Sequence, residues 1–175
     1  MRHFLVRGMI TFAVATAGFF LAGATAQAST GENDPVTNGV VTIQVTKLTQ
    51  AQATTRLRAA GITWSSSGNC SDRNNSTCTS FEQVNLTTIQ GAETLKHASG
   101  CALNITGGTE TGHASGTYSH WNGYKLDFSK STCLTNYVHN NFTSIGGGKW
   151  QSGAGNIYFD ESNHWDVTFY NCGGC

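Results

Sequence analysis

The sequence predicts an α+β fold in which a small, mostly antiparallel sheet has helices packed on it and is stapled by disulfide bonds. Along much of the chain, short segments of alternating apolar and polar residues, typical of strands, are separated by segments with helical periodicity. Near the end, two alternating segments follow one another closely and indicate a hairpin. Strands separated by helices early and a hairpin late are typical of α+β domains.

Residues 1–28 have the pattern of a secretory signal peptide. Arg2 and Arg7 supply a positively charged start, the run from Met9 to Ala24 is largely apolar and uncharged, and Ala26-Gln27-Ala28 offers a small-x-small cleavage pattern. A membrane anchor is the alternative interpretation, but the apolar run is short and rich in Ala and Gly, and no second hydrophobic span follows. We therefore expect a secreted protein with no membrane contact after signal removal.

The rest of the chain is expected to contain a flexible polar leader, 29–38, and a single domain, 39–175. The whole chain has 10 basic and 10 acidic side chains, and no cluster of Lys or Arg. Nucleic acids and anionic membranes need a basic face, so neither is an expected partner. We expect a monomer.

The six cysteines predict three disulfide bonds, because an even number in an exported chain is typical of a disulfide framework. A zinc site of the Cys type is the alternative, since Cys172-Gly-Gly-Cys175 has ligand spacing, but no second pair has a matching spacing. The predicted pairs are Cys70–Cys78, Cys101–Cys133 and Cys172–Cys175.

The first predicted elements are a strand from Val40 to Lys47 and a helix that begins after Thr49 and ends before Gly61. Thr49-x-x-Gln52 forms a capping box, and a glycine just past the last turn is a common helix stop. A polar loop from Thr63 to Cys78 follows, which the first disulfide bond would close.

A second helical region is predicted from Thr79 or Ser80, each followed three residues later by Glu or Gln, to Gly100. A short strand, Cys101 to Thr106, and a glycine-rich loop, Gly107 to Tyr118, come next. The remaining predicted elements are a strand (Tyr124–Ser129), a helix (Thr132–Asn141) and a hairpin (Asn156–Asp160 and His164–Tyr170) that turns at Ser162-Asn163.

Two histidines and three carboxylates form the candidate site. His120 ends the glycine-rich loop just before the strand of Asp127, and a two-residue turn would place Glu161 and His164 as a cross-strand pair on one face. Asp166 shares that face because side chains alternate along a strand. If the strand of Asp127 is adjacent, two imidazoles and one carboxylate converge, as in a catalytic zinc site with an open position. The alternative is two separate pairs: His120 and Asp127 would be hydrogen-bonded in a loop, and Glu161 and His164 would face solvent.

These residues also resemble the motifs of a known family, the zinc D-alanyl-D-alanine carboxypeptidases and dipeptidases. His120-x-x-Gly123-x-x-x-Asp127 resembles the core of their Ser-x-His-x-x-Gly-x-Ala-x-Asp motif, and Glu161-x-x-His164-Trp165-Asp166 resembles Glu-Pro-Trp-His-x-Glu. The two motifs occur in the family's order, and the resemblance covers about residues 101–170.

The resemblance implies a secreted zinc peptidase that hydrolyses peptide bonds in peptidoglycan stem peptides of the bacterial cell wall. His120, Asp127 and His164 would bind Zn²⁺, Glu161 would be the general base, and Asp166 would orient a ligand imidazole. The implied fold is the small α+β fold that these peptidases share with the Hedgehog signalling domain.

The chain departs from the family pattern in several places. The most consequential is Glu110, which stands where the family's Thr-Ser-Gly-Tyr-Arg segment has arginine; His113 is a candidate replacement electrophile, and Glu110 itself suits a substrate amine or amide. The departure leaves a second hypothesis open, a catalytically silent zinc-binding recognition module of the same fold. A third is a disulfide-stapled structural protein without metal. In the other departures, Tyr118 stands where the family motif has Ser, Lys125 where it has Ala, and Ser162-Asn163 where it has Pro-Trp.

Overall fold

The computed structural model describes residues 45–170, which lie in one compact unit, Thr42–Cys175. The predicted signal peptide, the leader and the Cys172–Cys175 bond lie outside the described residues. The helices are α1 (Gln50–Ala59), α2 (Leu86–Ser99) and α3 (Thr132–Asn141). The strands are β1 (Lys47–Leu48), β2 (Thr63–Trp64), β3 (Val84–Asn85), β4 (Asn104–Gly107), β5 (Lys125–Ser129), β6 (Thr143–Gly146), β7 (Lys149–Gln151), β8 (Ile157–Asp160) and β9 (His164–Thr168).

Seven of these strands form one mixed sheet in the order β2-β4-β5-β9-β8-β7-β6. The β2–β4 pair is parallel, and the other pairs in this sheet are antiparallel. The predicted α+β class with a mostly antiparallel sheet is therefore confirmed, whereas the prediction of a small sheet is wrong. The difference arises mainly from the β6–β7 hairpin, whose short and exposed strands carry no alternating apolar pattern that the sequence could reveal.

The hydrophobic core lies between one face of this sheet and the helices. Alternate residues of β5 and β9 point into it, and α3 reaches it through a hydrogen bond from the indole of Trp165 to the Thr135 hydroxyl, 3.3 Å. Leu126, Phe128, Trp165 and Val167 are fully buried there. The residues between them, Lys125, Asp127, His164 and Asp166, occupy the opposite face, which we call the site face.

Helices α1 and α3 begin and end near the predicted positions. Thr49 caps α1 with the complete capping box, and Gly61 follows its end with φ +68°. Ser131 caps α3 through a hydrogen bond to the Leu134 N–H. Local side-chain chemistry is enough to define these ends, because each cap satisfies a helix N–H that would otherwise lack a partner.

The predicted start of α2 is wrong, since the helix begins at Leu86 rather than after Thr79 or Ser80. Thr79 is buried, and its hydroxyl donates to the carbonyls of Ser65 and Thr106 instead of capping a helix. The predicted stop at Gly100 is confirmed, with φ +65°. Tertiary partners thus replaced a local cap for the Thr79 hydroxyl, whereas the Ser80 hydroxyl accepts from the Glu82 N–H without starting a helix.

Two disulfide bonds match the predicted pairing. Cys70–Cys78 closes the polar loop, and Cys101–Cys133 joins the segment before β4 to α3. Among residues 45–170 no helix is long and apolar enough to cross a membrane.

Candidate metal centre

The site is built on the two central strands of the sheet. Asp127 on β5 is paired in register with Asp166 on β9, so both side chains lie together on the site face. Gly107 on β4 is the next partner of Asp127, and a Cβ atom at Gly107 would collide with the Asp127 carboxylate. The glycine therefore leaves the space that this carboxylate occupies.

A tight turn places His120 beside this carboxylate. The His120 carbonyl accepts from the Gly123 N–H at 2.7 Å, and the Ser119 carbonyl accepts from the Tyr124 N–H at 3.1 Å. Gly123 has φ +79°, and a Cβ atom there would lie 2.6 Å from the Gln83 carbonyl oxygen. Only glycine fits both the positive φ and the close approach, which explains its position between the two motif residues.

His120 is buried, and both of its ring nitrogens have oxygen neighbours. Nδ1–H donates to the Gly108 carbonyl at 2.7 Å, and Nε2 lies 3.3 Å from Asp127 Oδ1 and 3.8 Å from Asp166 Oδ2. Burial lowers the pKa of His120, but the Asp127 and Asp166 carboxylates outweigh burial and raise it to about 9. In the absence of metal, a proton on Nε2 would therefore occupy the place where a cation fits.

His164 approaches the same carboxylate oxygen from β9. Its Nε2 lies 3.6 Å from Asp127 Oδ1 and 3.3 Å from Glu161 Oε2, while Nδ1 donates to the Asn163 side-chain oxygen at 2.7 Å. The Glu161 N–H donates to the His164 carbonyl across the turn at 3.1 Å. The predicted hairpin pair therefore exists, and it places Glu161 at the edge of the site with a partly exposed side chain.

Two donor pairs at Asp127 have the spacing of metal ligands. Asp127 Oδ1 is buried and accepts no hydrogen bond from the described residues, although two imidazole nitrogens lie beside it. Two ligands bound at about 2.1 Å to one tetrahedral zinc ion are about 3.4 Å apart, close to the two N–O distances found here. The second nitrogen of each histidine is tied to an oxygen acceptor, which is the arrangement that orients metal-binding imidazoles.

A third imidazole, that of His113, lies at the same carboxylate. Its Nδ1 is 3.8 Å from Asp127 Oδ2, and Nε2–H donates to Glu110 Oε1 at 3.0 Å. The donor atoms of His113, His120 and Asp127 all lie within 4.8 Å of one another, so this cluster could hold a metal ion. The sequence predicted His113 as a substrate or supporting residue, and did not include it among the ligands.

Ring geometry distinguishes His113 from the other two histidines. The His113 and His120 rings are stacked, with centroids 3.8 Å apart and planes 16° from parallel. A metal ion binds along the lone pair in the plane of an imidazole, and two rings stacked face to face do not direct those lone pairs at one ion. Donor spacing thus points to His113, His120 and Asp127, whereas ring orientation disfavours His113, and His164 is the other imidazole at this carboxylate.

Glu110 is enclosed by the protein. Its carboxylate accepts hydrogen bonds from the backbone N–H groups of Ser80, 2.7 Å, and Gly108, 3.0 Å, in addition to His113. Burial raises the pKa of Glu110, but these hydrogen bonds more than offset burial and hold the pKa below its usual value. A buried ionised carboxylate in this place fixes the orientation of His113 and joins two loops.

Asp166 connects the site to Lys125. The Lys125 ammonium donates to Asp166 Oδ2 at 2.7 Å, and the same oxygen is 3.8 Å from His120 Nε2. Burial raises the pKa of Asp166, whereas His120 and Lys125 lower it, and the net shift is downward. Asp166 is therefore a charged neighbour of His120.

All seven sequence-predicted site residues lie in this region of the fold. The sequence did not reveal that Glu110 binds His113 and that His113 lies beside Asp127. The only local signal for the first contact is the i, i+3 spacing of an acid and a histidine in a glycine-rich loop. Comparison with protein-family models, curated proteins and solved structures finds no match to this chain.

Proposed function

We propose that the chain is a secreted zinc-dependent peptidase that hydrolyses peptide bonds in peptidoglycan stem peptides, with the fold shared by the D-alanyl-D-alanine peptidases and the Hedgehog domain. One observation carries the proposal: two imidazole nitrogens, of His120 and His164, converge on a buried Asp127 oxygen that accepts no hydrogen bond from the described residues. The motifs support the substrate class. The disulfide bonds support an oxidising compartment.

In this proposal His120, Asp127 and His164 hold the zinc ion. When bound, zinc polarises a substrate carbonyl and makes water acidic enough to react near neutral pH. Glu161 has the position of a general base, since its Oε2 lies 3.3 Å from a ligand nitrogen and its side chain is 39% exposed. It accepts a proton from the attacking water and delivers it to the leaving amine.

The supporting residues act by orientation. The Gly108 carbonyl fixes His120 with Nε2 toward the site, and the Asn163 amide does the same for His164. Asp166 and Lys125 add a charged pair behind His120. His113, held by the hydrogen bond from its Nε2–H to Glu110, places Nδ1 beside Asp127.

A second candidate function is a zinc-binding recognition module without turnover. The observation that favours it is Glu110, because a carboxylate bonded to three protein groups replaces the arginine that the resembling enzymes use to steady negative charge. The two candidates share the metal site and differ only in hydrolysis.

The deciding experiment is digestion of purified peptidoglycan by the zinc-loaded protein, with mass analysis of the fragments, for wild type and Glu161→Gln. Glu161→Gln keeps the shape of the side chain but removes the base, so we expect full zinc content and a loss of hydrolysis of about 100-fold or more. His97→Gln, an exposed substitution on α2, is the matched control and should change neither zinc content nor hydrolysis.

The outcomes separate the hypotheses. Equal hydrolysis by wild type and Glu161→Gln contradicts the mechanism. Zinc content near one per chain with no fragments from wild type favours the recognition module. If the protein contains no zinc after refolding in the presence of zinc, the remaining hypothesis is a disulfide-stapled structural protein without metal.

A further inference from the structure

A cleft of about 300 Å³ lies on the site face next to the candidate metal centre. Asp166, which neighbours His120, forms part of its wall, and so does Lys125. From there the cleft extends over β8 and β7 toward the β6–β7 hairpin. A substrate held at the centre would therefore meet this cleft on one side.

Strand register defines the direction of the cleft. Asp127 pairs with Asp166, Asp166 with Phe159, and Phe159 with Lys149, so one row of side chains crosses four strands of the site face. Neighbouring strands are about 4.8 Å apart, which puts the Lys149 backbone about 14 Å from Asp127. An extended peptide rises about 3.4 Å per residue, so this distance corresponds to about four residues.

The charges along the cleft are unequal. Lys125 is paired with Asp166 at 2.7 Å, whereas no carboxylate among residues 45–170 forms an ion pair with Lys149. The Lys149 ammonium instead lies 5.0 Å from the centre of the Phe159 ring. The far end of the cleft therefore presents one uncompensated positive charge.

The walls around Lys149 are apolar. Ile157, Phe159 and Ile145 line the cleft on this side, and the Ile145 side chain is 49% exposed. Tyr118, which is 47% exposed, also lines the cleft and packs on Tyr170. Exposed apolar side chains grouped beside a charge are typical of surfaces that bind a ligand. The expected ligand group is an anion on an apolar or peptide stem.

We propose that Lys149 is a specificity residue that binds a carboxylate of the substrate, carried about four residues from the peptide bond at the metal centre. The substrate class is an extended peptide with a free carboxylate at that distance, laid across the strands of the site face. The proposal rests on the proposed peptidase function for the position of the scissile bond. The carboxylate-binding role of Lys149 is argued from the cleft and its charge alone.

The test uses two probes that differ in one charge, N-acetyl-penta-alanine with a free carboxylate and the same peptide as its amide. Their dissociation constants are measured by NMR titration of ¹⁵N-labelled, zinc-loaded Glu161→Gln protein, with and without Lys149→Gln. We expect the free acid to bind more tightly and to shift the Lys149 and Phe159 amide signals. Lys149→Gln should raise the dissociation constant of the free acid about threefold to fivefold, as for a partly exposed ion pair, and leave that of the amide unchanged.

Two controls make the result specific. Lys149→Arg keeps the charge and should keep the preference for the acid. Arg58→Gln removes a positive charge that also contacts an aromatic ring, that of Trp64, but outside this cleft, and should keep the preference as well.

Three results would overturn the proposal. The first is a preference for the free acid that survives Lys149→Gln, and the second is an equal loss of affinity for both peptides in that variant. The third is no binding of either peptide at millimolar concentration. The titration involves no turnover, so it is independent of the peptidoglycan digestion. A Lys149-dependent preference without hydrolysis by wild type rejects the peptidase alone. Hydrolysis without that preference rejects only the carboxylate site.

Discussion

Asp127 is a buried carboxylate whose Oδ1 accepts no hydrogen bond from the described residues. A charge in this position costs several kcal/mol unless a cation or donor compensates it. The structure offers two sources of compensation at the same point, a proton on His120 or a metal ion between His120 and His164. Proton and metal therefore compete for one place, and this competition predicts how stability depends on pH.

The free energy of unfolding of the metal-free protein should fall as pH rises. His120 has a pKa of about 9 when folded and an ordinary value of 6.5, so its contribution is complete below about pH 6.5 and is lost as pH rises through 9. The shift from 6.5 to about 9 corresponds to a loss of about 3 kcal/mol over that range. Urea unfolding in EDTA measures it, and His120→Gln should remove most of the dependence. A wild-type slope equal to that of the variant would contradict the pKa assignment.

Gly123→Ala should destabilise the fold and weaken the metal site. The alanine would combine a positive φ with a Cβ atom 2.6 Å from the Gln83 carbonyl oxygen, which costs about 2–4 kcal/mol. Gly100→Ala is the matched control, because Gly100 also has a positive φ but nothing lies within 4 Å of its Cβ position. Thermal unfolding compares the two, and equal losses would show that the close contact is unimportant.

At the scale of elements, helices with strong local caps were predictable and tertiary pairings were not. The ends of α1 and α3 follow from residues inside or beside each helix. The start of α2 does not, because Asn85, its N-cap residue, forms no side-chain cap and is held by β3 pairing and the Gly123 carbonyl. The β6–β7 hairpin escaped prediction because its short and exposed strands carry no alternating apolar pattern.

Removal of either described disulfide bond should destabilise the fold, and Cys101–Cys133 should matter more. It spans 32 residues and links the segment before β4 to α3, whereas Cys70–Cys78 spans 8. Chain-entropy reasoning gives about 3–4 kcal/mol for the first and about 2–3 kcal/mol for the second. Denaturant unfolding of the two double Cys→Ser variants tests the order. The reverse order would show that chain entropy is not the dominant contribution of these bonds.

At the scale of the whole molecule, the candidate metal centre joins parts that are distant in sequence. His120 belongs to a loop, Asp127 to β5, and His164 to the hairpin strand β9. A metal ion there would bind only the folded chain and stabilise it through mass action.

Zinc should therefore raise the unfolding temperature, by an amount equivalent to about 2.7 kcal/mol at a free zinc concentration of about 100 times Kd. His164→Ala should abolish the shift, and His113→Ala should retain most of it, since stacking on His120 directs His113 away from a shared ion. Differential scanning fluorimetry with and without zinc measures both variants. The opposite pattern would establish His113, His120 and Asp127 as the metal triad.

By itself the sequence determined the α+β class, the cap of α1, the bounds of α3, two disulfide pairs, and the hairpin that sets Glu161 opposite His164. Each of these depends on spacing along a short stretch or on the number of cysteines. Only the tertiary structure decided the size of the sheet, the start of α2, and the placement of His113, held by Glu110, beside the Asp127 carboxylate. These depend on which strands become neighbours and which buried polar groups must find partners, and that is settled when the core packs.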